Sequence, residues 1–213
     1  MAIKEFSHKP NEPTLTGRTL SHWFDSSQFR IVYLSVQVSK KSISLRTPIC
    51  SFDAMNGILC PQCESKLGSG QLSKADVEAS IKLVQLSQKI PQIEKFTLNS
   101  CQESNGNYVL YLSSSDIMTV RQSRELYRIL QGEFPGKIWL VEVGGDDKKF
   151  IEDMFFPIKI LTISQVWALG GIRKTKVIVS GRRTPRFPID VDKVIAISKE
   201  IRKIELVVEF ERK

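Results

Sequence analysis

Cys50, Cys60 and Cys63 lie close together in PICSFDAMNGILCPQCESKL, residues 48–67. Cys60 and Cys63 have the Cys-x-x-Cys spacing that turns two thiolates toward one ion. A closed structural zinc site takes four ligands, so the stretch poses a question of ligand count. The only histidines, His8 and His22, lie far upstream. Cys101 falls in a predicted strand and reads as a small buried hydrophobe. The N-terminus shows no apolar leader, so metal binding or burial is expected of these cysteines rather than a disulfide framework. The metal-free alternative is a knuckle in which Phe52, Ile58, Leu59 and Leu67 pack on their own.

A second group suits phosphate chemistry. The stretch SGRRTPRFPID, residues 180–190, carries Gly181, Arg182, Arg183 and Arg186 beside Phe187. Guanidinium forks bind phosphate bidentately, and an aromatic ring stacks a base. The alternative is a solvated basic loop with Phe187 buried against a helix. The whole chain of 213 residues has a net charge of +8 and a pI near 9.4. From Ile172 on, Lys and Arg outnumber Asp and Glu twelve to six. Such a balance favours polyanionic partners, nucleic acid first. Arg121, Arg124 and Arg128 recur at helical spacing and read as one solvated stripe.

Catalytic signals are sparse. Both histidines sit in a polar N-terminal arm, and neither phosphate-loop nor dinucleotide glycine pattern occurs. The carboxylate pairs in EDMFF and DVD fall on predicted helical surface. No nucleophile, base and oxyanion stabiliser come together, so the chain is expected not to be an enzyme. No apolar run is long enough to span a bilayer, and a cytoplasmic protein is expected.

The elements that must position these residues follow from periodicity. FRIVYLSVQV (29–38) and SKKSISLR read as strands after a polar arm. Ser73 caps a helix over about residues 74–89, ended by Pro91. EKFTLNSC and NYVLYLS form a hairpin about Asn105-Gly106. A helix over about 115–131 and the strand KIWLVEV (137–143) complete an α-β-β-α-β unit. The order then recurs through DDKKFIEDMFF, IKILTISQVW, IRKTKVIVS, PIDVDKVIAISKEI and KIELVVEFER. It matches the type II K homology order, α-β-β-α-α-β, if residues 113–131 hold two short helices. K homology units bind single strands through a GxxG loop between two helices.

PICSFDAMNGILCPQCESKLGSGQLSKADVEASIKL resembles the opening of archaeal NusA-like transcription factors. VRQSREL and KKFIEDMFFPIKIL look like later segments of the same family, so the resemblance spans roughly residues 48–213. It implies two tandem type II K homology domains, single-stranded RNA as ligand and RNA polymerase or other transcription machinery as partner. It also implies a doubled Cys-x-x-Cys motif, whose first pair here is Cys50 and Asp53. Carboxylate oxygen ligates zinc at about 2.0–2.2 Å, so Cys50, Asp53, Cys60 and Cys63 form the implied metal set. Asp53 equally reads as a lost ligand in a vestigial knuckle, and no cofactor is required beyond zinc as the one candidate.

The resemblance places the first GxxG just before MTVRQSREL, where the chain reads Ser114–Ile117. Ser114 and Ser115 can still donate to phosphate at a helix N-terminus. Asp116 would repel phosphate and reads as a helix cap. The second connector also lacks GxxG. The expected organisation is an arm at 1–47, a knuckle-like segment at 48–72, and K homology domains at 73–145 and 146–213. The expected function is RNA binding in transcription elongation or termination, through Arg182, Arg183, Arg186 and Gly181, with Ser114 and Ser115 second. The alternative is a protein–protein adaptor on RNA polymerase or the ribosome.

Overall fold

The computed structural model describes residues 44–167, 171, 173–184 and 186–211. The chain divides into bodies at 1–40 and 41–213, and the described residues belong to the second. The strand expected at 29–38 and most of the arm lie outside the described residues.

Local sequence sets the first unit. Helix α1 (Ser51–Asn56) and helix α2 (Pro61–Gly68) form the knuckle-like segment. Helix α3 (Lys74–Lys89) opens with a full capping box between Ser73 and Asp76. Strand β1 (Leu98–Ser104) turns into strand β2 (Asn107–Leu112) through Asn105 and Gly106, both at positive φ. That is the turn that suits the twist of a tight hairpin. The helix expected at 115–131 is two helices, α4 (Ser114–Gln122) and α5 (Arg124–Glu133). Ser123 between them is extended, and its side chain accepts the Leu126 N–H at 3.2 Å, starting a new helix. Strand β3 (Ile138–Glu142) closes the unit as α-β-β-α-α-β.

The second unit runs through helix α6 (Asp147–Met154), strands β4 (Ile160–Trp167) and β5 (Arg173–Val179), helix α7 (Val191–Arg202) and strand β6 (Leu206–Phe210). Here the expected α-β-β-α-α-β order is incomplete. One helix, α7, joins β5 to β6, and the described residues of 180–190 form turns and bends. Gly181 and Pro188 in that stretch disfavour a helix. Each sheet pairs its first two strands antiparallel and its last two parallel, in the order β1-β2-β3 and β4-β5-β6. The whole is an α+β fold of two similar units, each with a three-stranded mixed sheet.

Strands β2 and β3 are buried on both faces, whereas β1 keeps exposed residues. Tyr108, Leu110, Leu112, Ile138 and Leu140 face a core with α3, α4 and α5. Val109, Tyr111, Trp139 and Val141 point the other way, into a second core with Phe150, Ile151 and Met154 of α6 and Val194 and Ile197 of α7. Val177, Val179 and Leu206 of the second sheet close that core from its far side. Alternation along a strand sends neighbouring residues to opposite faces, and here both faces are covered.

Polar contacts fix how the units meet. Asp153 of α6, expected on a helical surface, is buried. Its carboxylate accepts from Arg121 Nη2 at 3.0 Å, Lys149 Nζ at 3.1 Å and the Glu142 N–H at 2.9 Å. Arg121 also lies over the Phe156 ring, 4.2 Å from its centroid. Ser104 and Asn105 donate to the Glu200 carboxylate of α7, and Arg202 Nη2 donates to the Gly145 carbonyl at 3.2 Å. Removing one partner of a buried charge pair typically costs about 3–5 kcal/mol. Asp153→Ala is therefore expected to lower unfolding stability by about that amount, read by urea denaturation. A loss below about 1 kcal/mol would show that the pair is not the anchor described.

Candidate metal centre and basic connector

The two short helices α1 and α2 place four ligands by the same rule. Cys50 is the N-cap of α1 and Asp53 its third residue; Cys60 is the N-cap of α2 and Cys63 its third residue. An N-cap side chain and the third helical residue lie over the same end of a helix, which is the geometry that a capping box uses. The ligand atoms of Cys50, Asp53, Cys60 and Cys63 all lie within 4.8 Å of one another. Asp53 is not lost from the cluster, as a vestigial reading expects; it completes it.

Asp53 is fully buried. Its Oδ2 accepts the Cys60 N–H at 2.9 Å, while Oδ1 is buried with no hydrogen-bond partner. Buried polar atoms are nearly always satisfied, so an orphan carboxylate oxygen beside three thiols is the atom that a cation would use. The donor set, three sulfurs and one oxygen, can coordinate a metal such as zinc. The Cys60 N–H, helped by the neighbouring thiols, holds the Asp53 carboxyl down at about 2 against the cost of burial. At Cys63 a backbone hydrogen bond at Cys50 favours the thiolate. Burial, with Asp53 and Cys60 alongside, outweighs it and pushes the thiol up to about 12. Cys50 rises for the same combination, with the Asp53 backbone opposing. A bound cation reverses this balance by favouring the charged form of every ligand.

Of the four residues expected to pack in a metal-free knuckle, two do and two do not. Phe52 and Ile58 are 65% and 74% exposed, so they do not pack into a core of their own. Leu59 and Leu67 lean on the first core, together with buried Ile49, Ala54 and Cys63. Cys101 is buried on β1 and outside the cluster, as expected.

The phosphate-chemistry residues are more scattered than expected. Ser114 and Ser115 are exposed in the first turn of α4. Asp116 is not the cap: its Oδ2 accepts the Thr97 N–H at 2.7 Å, tying α4 to the start of β1. The junction between two helices, where a GxxG loop belongs, is Ser123, with Arg121, Gln122 and Arg124 about it. It is thus at the opposite end of α4 from Ser114 and Ser115, and it too lacks glycine. Arg121 belongs to α4 and is largely enclosed, whereas Arg124 and Arg128 are exposed on α5, so the expected single stripe does not exist.

In the connector, Gly181 has φ 103°, and Arg182 and Arg186 are exposed. Neither has an ion partner among the described residues. Arg183 reaches both Asp192 oxygens, at 2.9 and 3.2 Å. Phe187 is not offered to a base: its ring packs edge-on against Phe210, 5.3 Å between centroids. A cleft of about 1340 Å³ lies between α5, β3 and the start of α7, lined by Arg124, Tyr127, Gln131, Lys137, Trp139 and Lys193 among others. Lys137 sits over the Trp139 ring at 5.4 Å. Burial, then the nearby Lys193, lower its affinity for a proton, and Asp190 opposes them. Sequence periodicity gave no sign of this cleft, because its walls come from both units.

Among the described residues no helix is long and apolar enough to cross a membrane. No family model matches the chain, and no curated protein matches it. Among solved structures it is similar to the crystal structure of APE1850, at 15% identity over 61% of this chain and 95% of that one, with a TM-score of 0.38.

The ionised form of Asp53 is favoured in the folded chain, since its value is lowered from 3.8 to about 2. The stability that it contributes is present above the ordinary value and is lost as pH falls through about 2. In metal-stripped protein, Asp53→Asn is therefore expected to flatten the acid limb of a stability-versus-pH curve below about pH 4. An unchanged limb would contradict the Cys60 hydrogen bond as its cause.

Proposed function

We propose that this chain is a non-catalytic, NusA-like factor that binds single-stranded RNA and acts beside RNA polymerase in elongation or termination. The observation that carries the proposal is the KH-like stack with a connector bearing two exposed guanidinium groups, Arg182 and Arg186, that have no ion partner among the described residues. Binding through such groups is mainly to phosphate, with little sequence preference. Arg124 and Lys137 in the cleft, likewise without ion partners among the described residues, extend the basic surface toward the first unit. The transcription role rests on the family resemblance of the cysteine stretch and of KKFIEDMFFPIKIL.

The cluster of Cys50, Asp53, Cys60 and Cys63 holds zinc in this reading, with Asp53 Oδ1 as the oxygen ligand. The metal is structural: four protein ligands leave no open position for catalysis. Its contribution is to fix the ends of α1, which packs on α3, and of α2, which leans on the first core through Cys63 and Leu67.

A second reading, the protein adaptor, is favoured by the absence of GxxG from the Ser123 junction and from the 180–190 connector, and by the Asp192 pairing of Arg183. Two experiments decide. Purified protein is expected to carry about one zinc per chain by mass spectrometry, retained in Asp53→Cys and reduced in Asp53→Ala; fewer than about one per ten chains sinks the metal assignment. Labelled single-stranded RNA is expected to bind more weakly as salt rises from about 50 to 200 mM. Arg182→Ala/Arg186→Ala should cut the log–log salt slope by about 1.4. Affinity that ignores both salt and the arginines favours the adaptor.

A further inference from the structure

The two sheets differ at their edges. At the β1 edge, Arg46 exchanges backbone bonds with Phe96 and Leu98 at 3.1 and 2.9 Å. Farther along, Asp76 Oδ1 accepts the Cys101 N–H at 2.5 Å and Ser73 Oγ donates to the Cys101 carbonyl at 3.2 Å. At the β3 edge, the outward groups are taken by side chains. Gln131 accepts the Ile138 N–H at 3.1 Å, and Tyr127 donates to the Ile138 carbonyl at 3.5 Å. Arg121 donates to the Leu140 carbonyl at 3.5 Å, and Asp153 accepts the Glu142 N–H at 2.9 Å.

Strand β6 has no such cover. Glu205 and Glu211 bond toward β5, through Thr175 N–H to Glu205 O at 2.8 Å and Glu211 N–H to Val179 O at 3.0 Å. Parallel pairing alternates, so Leu206, Val208 and Phe210 turn their backbone groups outward. No hydrogen-bond partner for these groups exists among the described residues. The strand reads Leu-Val-Val-Glu-Phe, with no proline and no lysine to guard it, and Glu209 is paired to Lys176 at 2.8 Å. Phe187 on Phe210 sets the connector at the C-terminal end of β6, next to Arg186, and Gly181 lies against Phe187 next to Arg182.

We infer that the β6 edge is a docking site for an extended, acidic polypeptide segment of a partner, which adds as a strand beside Leu206–Phe210. An alternating row of backbone donors and acceptors matches an extended peptide repeat, and about five residues would span it. Arg182 and Arg186 supply the preference for acidic side chains at one end. This site does not involve the metal, but it shares Arg182 and Arg186 with the proposed RNA surface, so RNA and an acidic peptide would compete for that end of the edge.

The test uses the full chain and a displayed pool of linear peptides of about ten residues. Enriched peptides are expected to carry Asp or Glu and to lack proline at alternate positions. In an amide NMR titration with an enriched peptide, Leu206, Val208 and Phe210 should shift, and Val207 and Glu209, which bond to β5, should not. Arg182→Ala/Arg186→Ala should weaken that peptide about threefold or more. Failure to enrich any peptide, or shifts confined to other strands, overturns the proposal. So does a single-stranded oligouridylate that shifts the same three amides when the peptides do not, since the edge would then belong to nucleic acid.

Discussion

The back face of the first sheet governs the rest of the molecule. Val109, Tyr111, Trp139 and Val141 form an apolar surface that the first unit has no helix to cover. Left open, it would be a contiguous hydrophobic patch of the kind that soluble chains rarely expose. Helices α6 and α7 of the second unit lie over it, so the two units share a core rather than sit side by side as separate beads. This is why NYVLYL of β2 is buried at every position, against the alternation expected of a half-covered sheet. Apolar burial has no direction, and the directional part comes from the buried Asp153 carboxylate and from Glu200 against Ser104 and Asn105. They fix the register, and with it the walls of the cleft between α5 and α7.

The stack has a built-in end. The pairings Tyr108–Ile138 to Leu112–Glu142 in the first sheet correspond to Thr175–Leu206 to Val179–Phe210 in the second. At that register Lys176 stands where the first sheet has Val109, and Glu209 where it has Val141. The ion pair between them, 2.8 Å, occupies a face that a third unit would need apolar. Terminal repeats in stacked architectures carry a polar outer face for this reason. Loss of one helix between β5 and β6 belongs to the same asymmetry. Within the second unit, the connector stands where the first unit has α4; it packs through Phe187 and Ile189 and presents Arg182 and Arg186 outward.

What could be read from the sequence was local and chemically marked. The Ser73–Asp76 box, the Asn105-Gly106 turn and the Cys-x-x-Cys pair each fix geometry within a few residues, and each is where expected. Ser123 was not legible as a break, because an isolated serine in a helical run is as compatible with continuation as with an N-cap. Asp153 looked like surface because two of its three partners, Arg121 and the Glu142 amide, come from the other unit. The same limit hid the fate of Phe187. Its neighbours in sequence are basic and exposed, and only the return of β6 supplies the ring on which it packs. Residues whose role depends on another unit cannot be assigned from their own neighbourhood.

Asp53 is the instructive case. Read against a doubled cysteine motif, it was a loss. Its position is set by helix geometry, though, and a third-residue aspartate sits over the helix end as a third-residue cysteine does. Helices of six and eight residues have little stability of their own. Apolar packing within the segment does not replace it, since Phe52 and Ile58 face outward. What organises the segment is the ligand cluster on one side and the contact of Ala54 and Cys63 with the core of α3 on the other. Cys63 belongs to both, being a candidate ligand and a core residue at once. The state of the cluster is therefore coupled to the packing of the first unit, and Asp53 Oδ1, buried without a hydrogen-bond partner, lies in the middle of it.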